Sequence, residues 1–460
     1  MEIKSIALAF VAIISFSQCG ISQKTTSADP LYTAPEWSAN SVIYEVNIRQ
    51  HSPEGTLQAF TKDIGRIKNL GADILWIMPV QPIGIKNRKG GLGSYYSIKN
   101  YVEINPEFGN LDDFKNLVET AHKNGLKVII DWVANHTAWD HPWITEHPNW
   151  YVQDSTGKIV TQYDWTDVAK LNYGNKDMRK EMIASLKHWV KEYDIDGFRC
   201  DVAFLVPADF WKDVRTELEK IKPVFMLAEM EMHNDINPKP EEYFQNAFNA
   251  NYAWNFHGTA HEVAQGKKTY QEFLLNLNKN IEQVPGDVFK MHFLTNHDEN
   301  SWNGTVKEKF NTQWKKWSVL CYTLEQSFPL IYSGEEANNT KRLAFFEKDP
   351  IKWGDTSLYS WYRKMNHLKH TQPCLGNGSF GAPMEIIVLP NNPDVLAFKR
   401  TLSGKSVYVL VNMSATSQSI NQLERYRPKS SEIYVSDLME ITENTIELGK
   451  DGFVIFTPNF

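Results

Sequence analysis

Between residue 42 and about residue 370, short apolar runs that read as buried strands alternate with stretches of helical periodicity. The strand runs fall at 42–48, 73–79, 126–132, 195–201, 224–230, 247–252, 290–295 and 329–332. Helical patterns occupy 57–70, 111–124, 176–193, 208–221, 268–283 and 307–326, with 363–369 in the last helix. Apolar runs followed by helical crossovers are the pattern of parallel strands. Eight such runs predict an α/β fold, a closed (β/α)8 TIM barrel spanning about residues 37–379. Two departures refine this. Residues 134–175, after the third run, are aromatic and polar and predict a short inserted subdomain over the barrel mouth. After about residue 378 only short strand patterns remain, at 384–388, 395–400, 406–413, 432–435 and 452–457. They predict a C-terminal antiparallel β-sandwich domain over 380–460.

The first nineteen residues stand apart from this pattern. Lys4 precedes an apolar run, Ile6 to Phe16, that is too short to span a bilayer and reads as an export signal. Cys19 stands where a lipoprotein carries its lipid, although Gln18 fits poorly before it. Residues 20–36 read as a tether. The expectation is an exported protein, whether periplasmic, secreted or an outer-membrane lipoprotein, that meets the membrane only through Cys19. A net charge of −7 with no basic run argues against nucleic acid as a partner. Cys200 in a buried strand run and Cys321 in an apolar helix, with Cys374, do not form a disulfide framework. Aromatic residues make up 13% of the chain, including 15 Trp, and flat rings are platforms for the C–H faces of sugars.

The chemistry concentrates at strand ends. In the run 195–201, Arg199 and Asp201 share one face with Ile195 and Gly197, while Phe198 and Cys200 take the other. Burying Arg199 beside Asp201 is costly unless it serves a purpose. The guanidinium is expected to lower the pKa of Asp201, and an ionised carboxylate aimed into a cavity suits a covalent nucleophile. The third run ends in Asp131 with Asn135 and His136 after it, the fifth in Glu229, and the seventh leads into His297 and Asp298. In such barrels the functional groups sit at the C-terminal ends of strands. One acid there reads as a loop cap; three, with two His and an Arg, do not.

These segments resemble the α-amylase family of glycoside hydrolases. The resemblance rests on Asp131–His136 (DxxxNH), Gly197–Asp201 (GFRxD), the apolar strand ending at Glu229, and Phe293–Asp298 (FxxNHD), in the family's order. Gly93–Ser97, Asn105–Gly109 and Gly334–Glu336 add to it. It implies retaining hydrolysis of α-1,4-glucosidic bonds in starch-like glucans or maltooligosaccharides, cut endo-wise. A glucanotransferase or exo-acting α-glucosidase is the alternative within the family, and an inactive glucan-binding protein the alternative outside catalysis. By the same resemblance Asp201 is the nucleophile, Glu229 the general acid/base and Asp298 a ligand of sugar hydroxyls. Retention needs the first two carboxyls about 5.5 Å apart. Glu229 needs a raised pKa. Glu231, on the same strand parity, is its rival. His136 and His297 would bond the sugar at the cleavage point and Asp131 would hold that network. Tyr96 would stack on the sugar, with Tyr95 as its rival.

Many family members hold a structural calcium between insert and barrel. Asn135 matches one ligand position, but Lys170 stands where an aspartate is expected. Asp201 is followed by Val202-Ala203-Phe204-Leu205 rather than a Lys-His pair. Calcium takes six to eight oxygens. The expectation is therefore no calcium and no other cofactor, with Lys170 as a built-in cation. Gln50–Gly55 offers no alternative metal loop. Phe204 and Leu205 would make the leaving-group side of the site apolar.

Overall fold

Ile43 lies opposite Leu330 of the last barrel strand on one side and Ile74 of the second on the other, so the sheet has no edge. The computed structural model describes residues 32–230, 239–283, 285–422, 426 and 431–458; the leader with Cys19, and Glu231, lie outside them. The parallel strands are Ile43–Val46, Ile74–Ile77, Lys127–Trp132, Gly197–Cys200, Phe225–Ala228, Ala250–Tyr252, Phe289–His292 and Ser327–Tyr332. They close into one barrel in sequence order. Period-two alternation divides their side chains. Ile43, Ile74, Trp76, Ile129, Phe225, Met291 and Phe328 fill the interior. Val128, Ile130, Phe198, Cys200 and Met226 pack outward against the helices. Parallel register sets Asp131 beside Arg199 and Cys200 beside Ala228, which stacks the chemically active residues at one end.

Gly197 shows how tightly the fourth strand is held. A Cβ there would lie 1.9 Å from the carbonyl oxygen of Phe225 on the neighbouring strand. Backbone cannot yield as a side chain does, so Gly197→Ala is expected to destabilise the protein by about 3 kcal/mol. A melting temperature equal to wild type would show that the two strands can part there at no cost.

The helices largely follow the expected spans, and two of them are broken. Lys176–Tyr193 starts on Asn175, whose side chain accepts from the Asp177 and Met178 amides, and stops at Asp194 in a left-handed conformation. The expected helix 57–70 is two, Leu57–Thr61 and Ile64–Leu70. The stretch 307–326 is also broken, into Val306–Phe310 and Trp314–Thr323. Helix Trp254–Ala264 was not legible, since His257 and Thr259 occupy buried positions and blur the apolar stripe. The seventh strand ends at His292, earlier than expected. Asn296 Oδ1 accepts the Glu299 amide at 2.8 Å, so Asp298 opens a helical turn rather than ending a strand.

The insert is built on an antiparallel pair, His136–Ala138 with Val168–Lys170, and on packed rings such as Trp143 and Trp150. The C-terminal part holds a five-stranded antiparallel sheet and a three-stranded one. Leu410, Val454 and Phe456 of the first meet Ile420, Ile446 and Leu448 of the second. The strands of the second sheet were not among the expected runs, because they are short and half exposed. Arg400 ties this part to the barrel. Fully buried, it donates to the carbonyls of Leu324 and Ala382, both at 2.8 Å, and so satisfies the end of helix Trp314–Thr323. Cys200, Cys321 and Cys374 are free and buried.

Candidate active site

Arg199 is the hub. It is fully buried inside the barrel between Trp76, Tyr96 and Tyr252, whose ring centroids lie 5.2–5.7 Å from its guanidinium carbon. Nη1 donates to Asp131 Oδ1 at 2.8 Å and to Asp201 Oδ1 at 2.9 Å. Nε donates to the Tyr252 hydroxyl at 2.9 Å. Nη2 lies 2.8 Å from Glu229 Oε2 but is not aligned for a hydrogen bond, so that contact is electrostatic. One cation thus serves carboxylates from the third, fourth and fifth strands, which only the fork of a guanidinium can do.

Burial corrects one expectation. Arg199 was expected to depress Asp201. Burial instead dominates, and with Asp131 nearby it pushes Asp201 up to about 6 against the pull of Arg199. Glu229 goes further, to about 8, raised by burial and by Asp201 and Asp298, and opposed by Arg199. Its Oε2 accepts the Val202 amide at 2.8 Å. Val202 is held at φ +37°, an unfavourable conformation for a β-branched residue. That strained residue fixes the carboxylate of Glu229 beside Asp201.

Asp298 lines the same cavity as Asp201 and Glu229. Burial alone would raise it, but the charge of His297, with Nε2 3.3 Å from its Oδ2, lowers it. His297 itself is disfavoured by burial as a cation, yet Asp298 and Glu45 hold its pKa well above the ordinary value. Its Nδ1 bonds Glu45 Oε1, and its Nε2 lies 2.7 Å from the Tyr96 hydroxyl, which donates to Asp131 Oδ2 at 3.0 Å. Charges therefore alternate from Glu45 through His297 and Asp131 to Arg199.

The expected residues meet at one cavity of about 400 Å³ lined by Tyr96, His136, Asp201, Phe204, Glu229 and Asp298. Asp131, Arg199 and His297 lie beneath it, bonded to those liners. His136 is held neutral, burial lowering it to about 4. Tyr96 faces the cavity, whereas Tyr95 turns away under Arg49, 4.3 Å from its guanidinium. Sequence reasoning missed Glu45, Tyr252, Trp76, Lys89, Asp167, Trp165, Trp302 and Phe345. Glu45 carried a signal, a charge at the inward parity of an apolar strand.

The chain suits a calcium poorly. Lys170, in the place of an expected aspartate, sits opposite His136 in the insert hairpin. Among the described residues no three His, Cys, Asp or Glu side chains cluster as ligands. The side chains of Phe204 and Leu205 carry no oxygen. Gln50 is committed elsewhere, donating to the carbonyls of Ala344 and Glu347 at 2.7 and 3.0 Å.

Comparison with known proteins agrees with the geometry. The family model of the α-amylase catalytic domain matches residues 27–149 and 145–373. The chain belongs to the α-amylase family. It is 25% identical over 401 residues to α-amylase MalA of Haloarcula japonica, covering 84% of this chain and 57% of that protein. It is 26% identical over 500 residues to α-amylase 3 of Dictyoglomus thermophilum, covering 92% of this chain and 94% of that one. Among solved structures, an α-amylase from Lactobacillus plantarum superposes with a TM-score of 0.79 at 29% identity, covering 91% of this chain and 99% of that one. The Lactobacillus plantarum structure thus shares the fold over most of this chain.

Proposed function

We propose that this α-amylase family protein hydrolyses α-1,4-glucosidic bonds of starch-like glucans or maltooligosaccharides with retention, through a covalent glycosyl-enzyme on Asp201. The observation that carries this reading is that Asp201 and Glu229 share one buried guanidinium and one cavity, with Glu229 the weaker acid. Glu229 gives its proton to the glycosidic oxygen while Asp201 attacks the anomeric carbon, and the glycosidic C–O bond breaks. Glu229, now a carboxylate, takes a proton from the water that attacks the same carbon and frees Asp201. Asp298, kept ionised by His297, accepts hydrogen bonds from sugar hydroxyls. Tyr96 supplies a stacking face, and neutral His136 a hydrogen bond. Incubation with amylose, pullulan and maltooligosaccharides tests the substrate class. Proton NMR of the first product tests retention: the α-anomer is expected, and the β-anomer would overturn the mechanism.

The acids also fix a pH dependence. Turnover needs Asp201 ionised, a condition lost as pH falls through about 6. It needs Glu229 protonated, a condition lost as pH rises through about 8. A bell-shaped kcat/KM with limbs near those values is expected. A profile flat across that range would reassign the acid.

Phe204, buried at the cavity beside Val202, offers an incoming sugar an apolar platform and favours transfer as the second reading. Products longer than the starting maltooligosaccharide would support it. We also propose that the protein works without the family's calcium. Lys170 in the acid's place supports this, and a chelator is expected to leave melting temperature and turnover unchanged.

A further inference from the structure

Residues 84–94, after the second strand, form a strap tied at both ends across the cleft. On one side the Ile85 amide donates to Asp140 Oδ2 of the insert at 3.0 Å, and Lys89 Nζ meets Asp167 Oδ1 at 3.2 Å. On the other the Leu92 amide donates to the Phe346 carbonyl at 3.0 Å, and the Gly91 amide to Glu347 Oε1 at 2.5 Å. Arg49 Nη1 holds the strap from below through the Gly93 carbonyl at 3.2 Å. At Gly90, where φ is +64°, an added Cβ would lie 2.3 Å from Phe346 Cβ, so strap and eighth loop are in direct contact. Lys89, Asp167 and Phe346 line the same cavity as the three acids.

Which end of a substrate meets this wall follows from proton transfer, and so rests on the function proposed above. The leaving group lies on the side of Glu229, the proton donor, with Val202 and Phe204. The glycosyl part bonded to Asp201 lies on the side of Tyr96, where Ser97 Oγ donates to the Asp167 carbonyl at 3.1 Å and so sets Asp167 and Lys89 next to it. We propose that the strap, barred by the Lys89–Asp167 ion pair, closes the glycone end of the cleft, so that the enzyme releases short saccharides from non-reducing ends instead of cutting within a chain. The closed end selects a substrate terminus by steric exclusion. The polar pair offers hydroxyl-binding groups to that terminus.

The test compares wild type with Lys89→Ala and Lys89→Ala/Asp167→Asn on amylose and maltoheptaose. Lys89 is more than a third exposed but Asp167 is buried, so the double variant, which leaves no buried carboxylate without its cation, is the decisive one, and melting temperature is measured for each variant. Wild type is expected to give mainly short products and slow loss of iodine staining per reducing end formed. In the variants the share of longer products is expected to rise about tenfold, the scale of one opened pocket contact. Cleavage of maltotriose by wild type serves as the control for hydrolysis itself, and in the variants KM for maltotriose is expected to rise as the terminus loses its polar partners. Long products already dominant in wild type, or product profiles that the variants do not change, would overturn the closed end while leaving hydrolysis standing. No reducing ends from any α-glucan with wild type would instead refute the proposed function itself.

Discussion

Asp201→Asn is expected to lower kcat by about 10⁴-fold or more, the scale on which a covalent nucleophile's removal is felt. The change isolates chemistry from structure. Asn keeps the shape of Asp and an oxygen for Arg199 Nη1, now 2.9 Å from Asp201 Oδ1. It removes one of three buried carboxylates competing for a single guanidinium. Melting temperature is therefore expected to stay level or rise, since a buried charge carries a desolvation penalty. Loss of turnover with no loss of stability is the signature of a residue held in place for reaction. A variant within about tenfold of wild type would remove Asp201 from the covalent step.

Arg199→Ala is expected to produce the opposite pattern, loss of stability and activity together. The side chain is fully buried, and its removal strands Asp131, Asp201 and Glu229 without their shared cation. Breaking a buried ion pair from one side costs about 3–5 kcal/mol. Protonation of the stranded acids then limits the damage to the fold but harms the chemistry. Arg199 is what holds Asp201 down to about 6, so without it that pKa climbs and the nucleophile is protonated at neutral pH. The acid limb of kcat/KM should move to higher pH. Arg199→Lys keeps the charge but not the fork, and should fall between wild type and Ala. Measuring melting temperature and the pH profile together decides the matter: an unmoved limb would show that the guanidinium does not set the state of Asp201.

Much of the site was legible because barrels place chemistry at predictable points. Asp131, Arg199, Asp201 and Glu229 all stand at the ends of apolar runs, and their parity along each strand turned them to one interior. What stayed hidden were partners supplied by other strands. Glu45 bonds His297 across 252 positions of sequence, a contact that exists only because the first strand neighbours the last when the sheet closes. Tyr252 reaches Arg199 across the barrel interior, and Trp76 reaches Asp131 from the neighbouring strand. The pKa of Asp201 was misjudged for a related reason. Local spacing showed one arginine two residues from one aspartate, but not the burial that outweighs it, nor the Asp131 and Asp298 carboxylates nearby. Tyr95 and Tyr96 differ by one position and could not be separated by pattern. Backbone geometry turned one to the cavity and the other under Arg49.

The order of apolar runs and helical periods was enough to dictate a closed parallel barrel, because each buried strand needs both faces covered and each parallel neighbour needs a crossover. The types of group at the strand ends were likewise written in the chain. Their working states were not. Protonation depends on how many charges share a dry volume, and cleft shape on which loops touch, as the 84–94 strap touches insert and eighth loop. Those are properties of distance in space, and distance in space is what the barrel's closure sets.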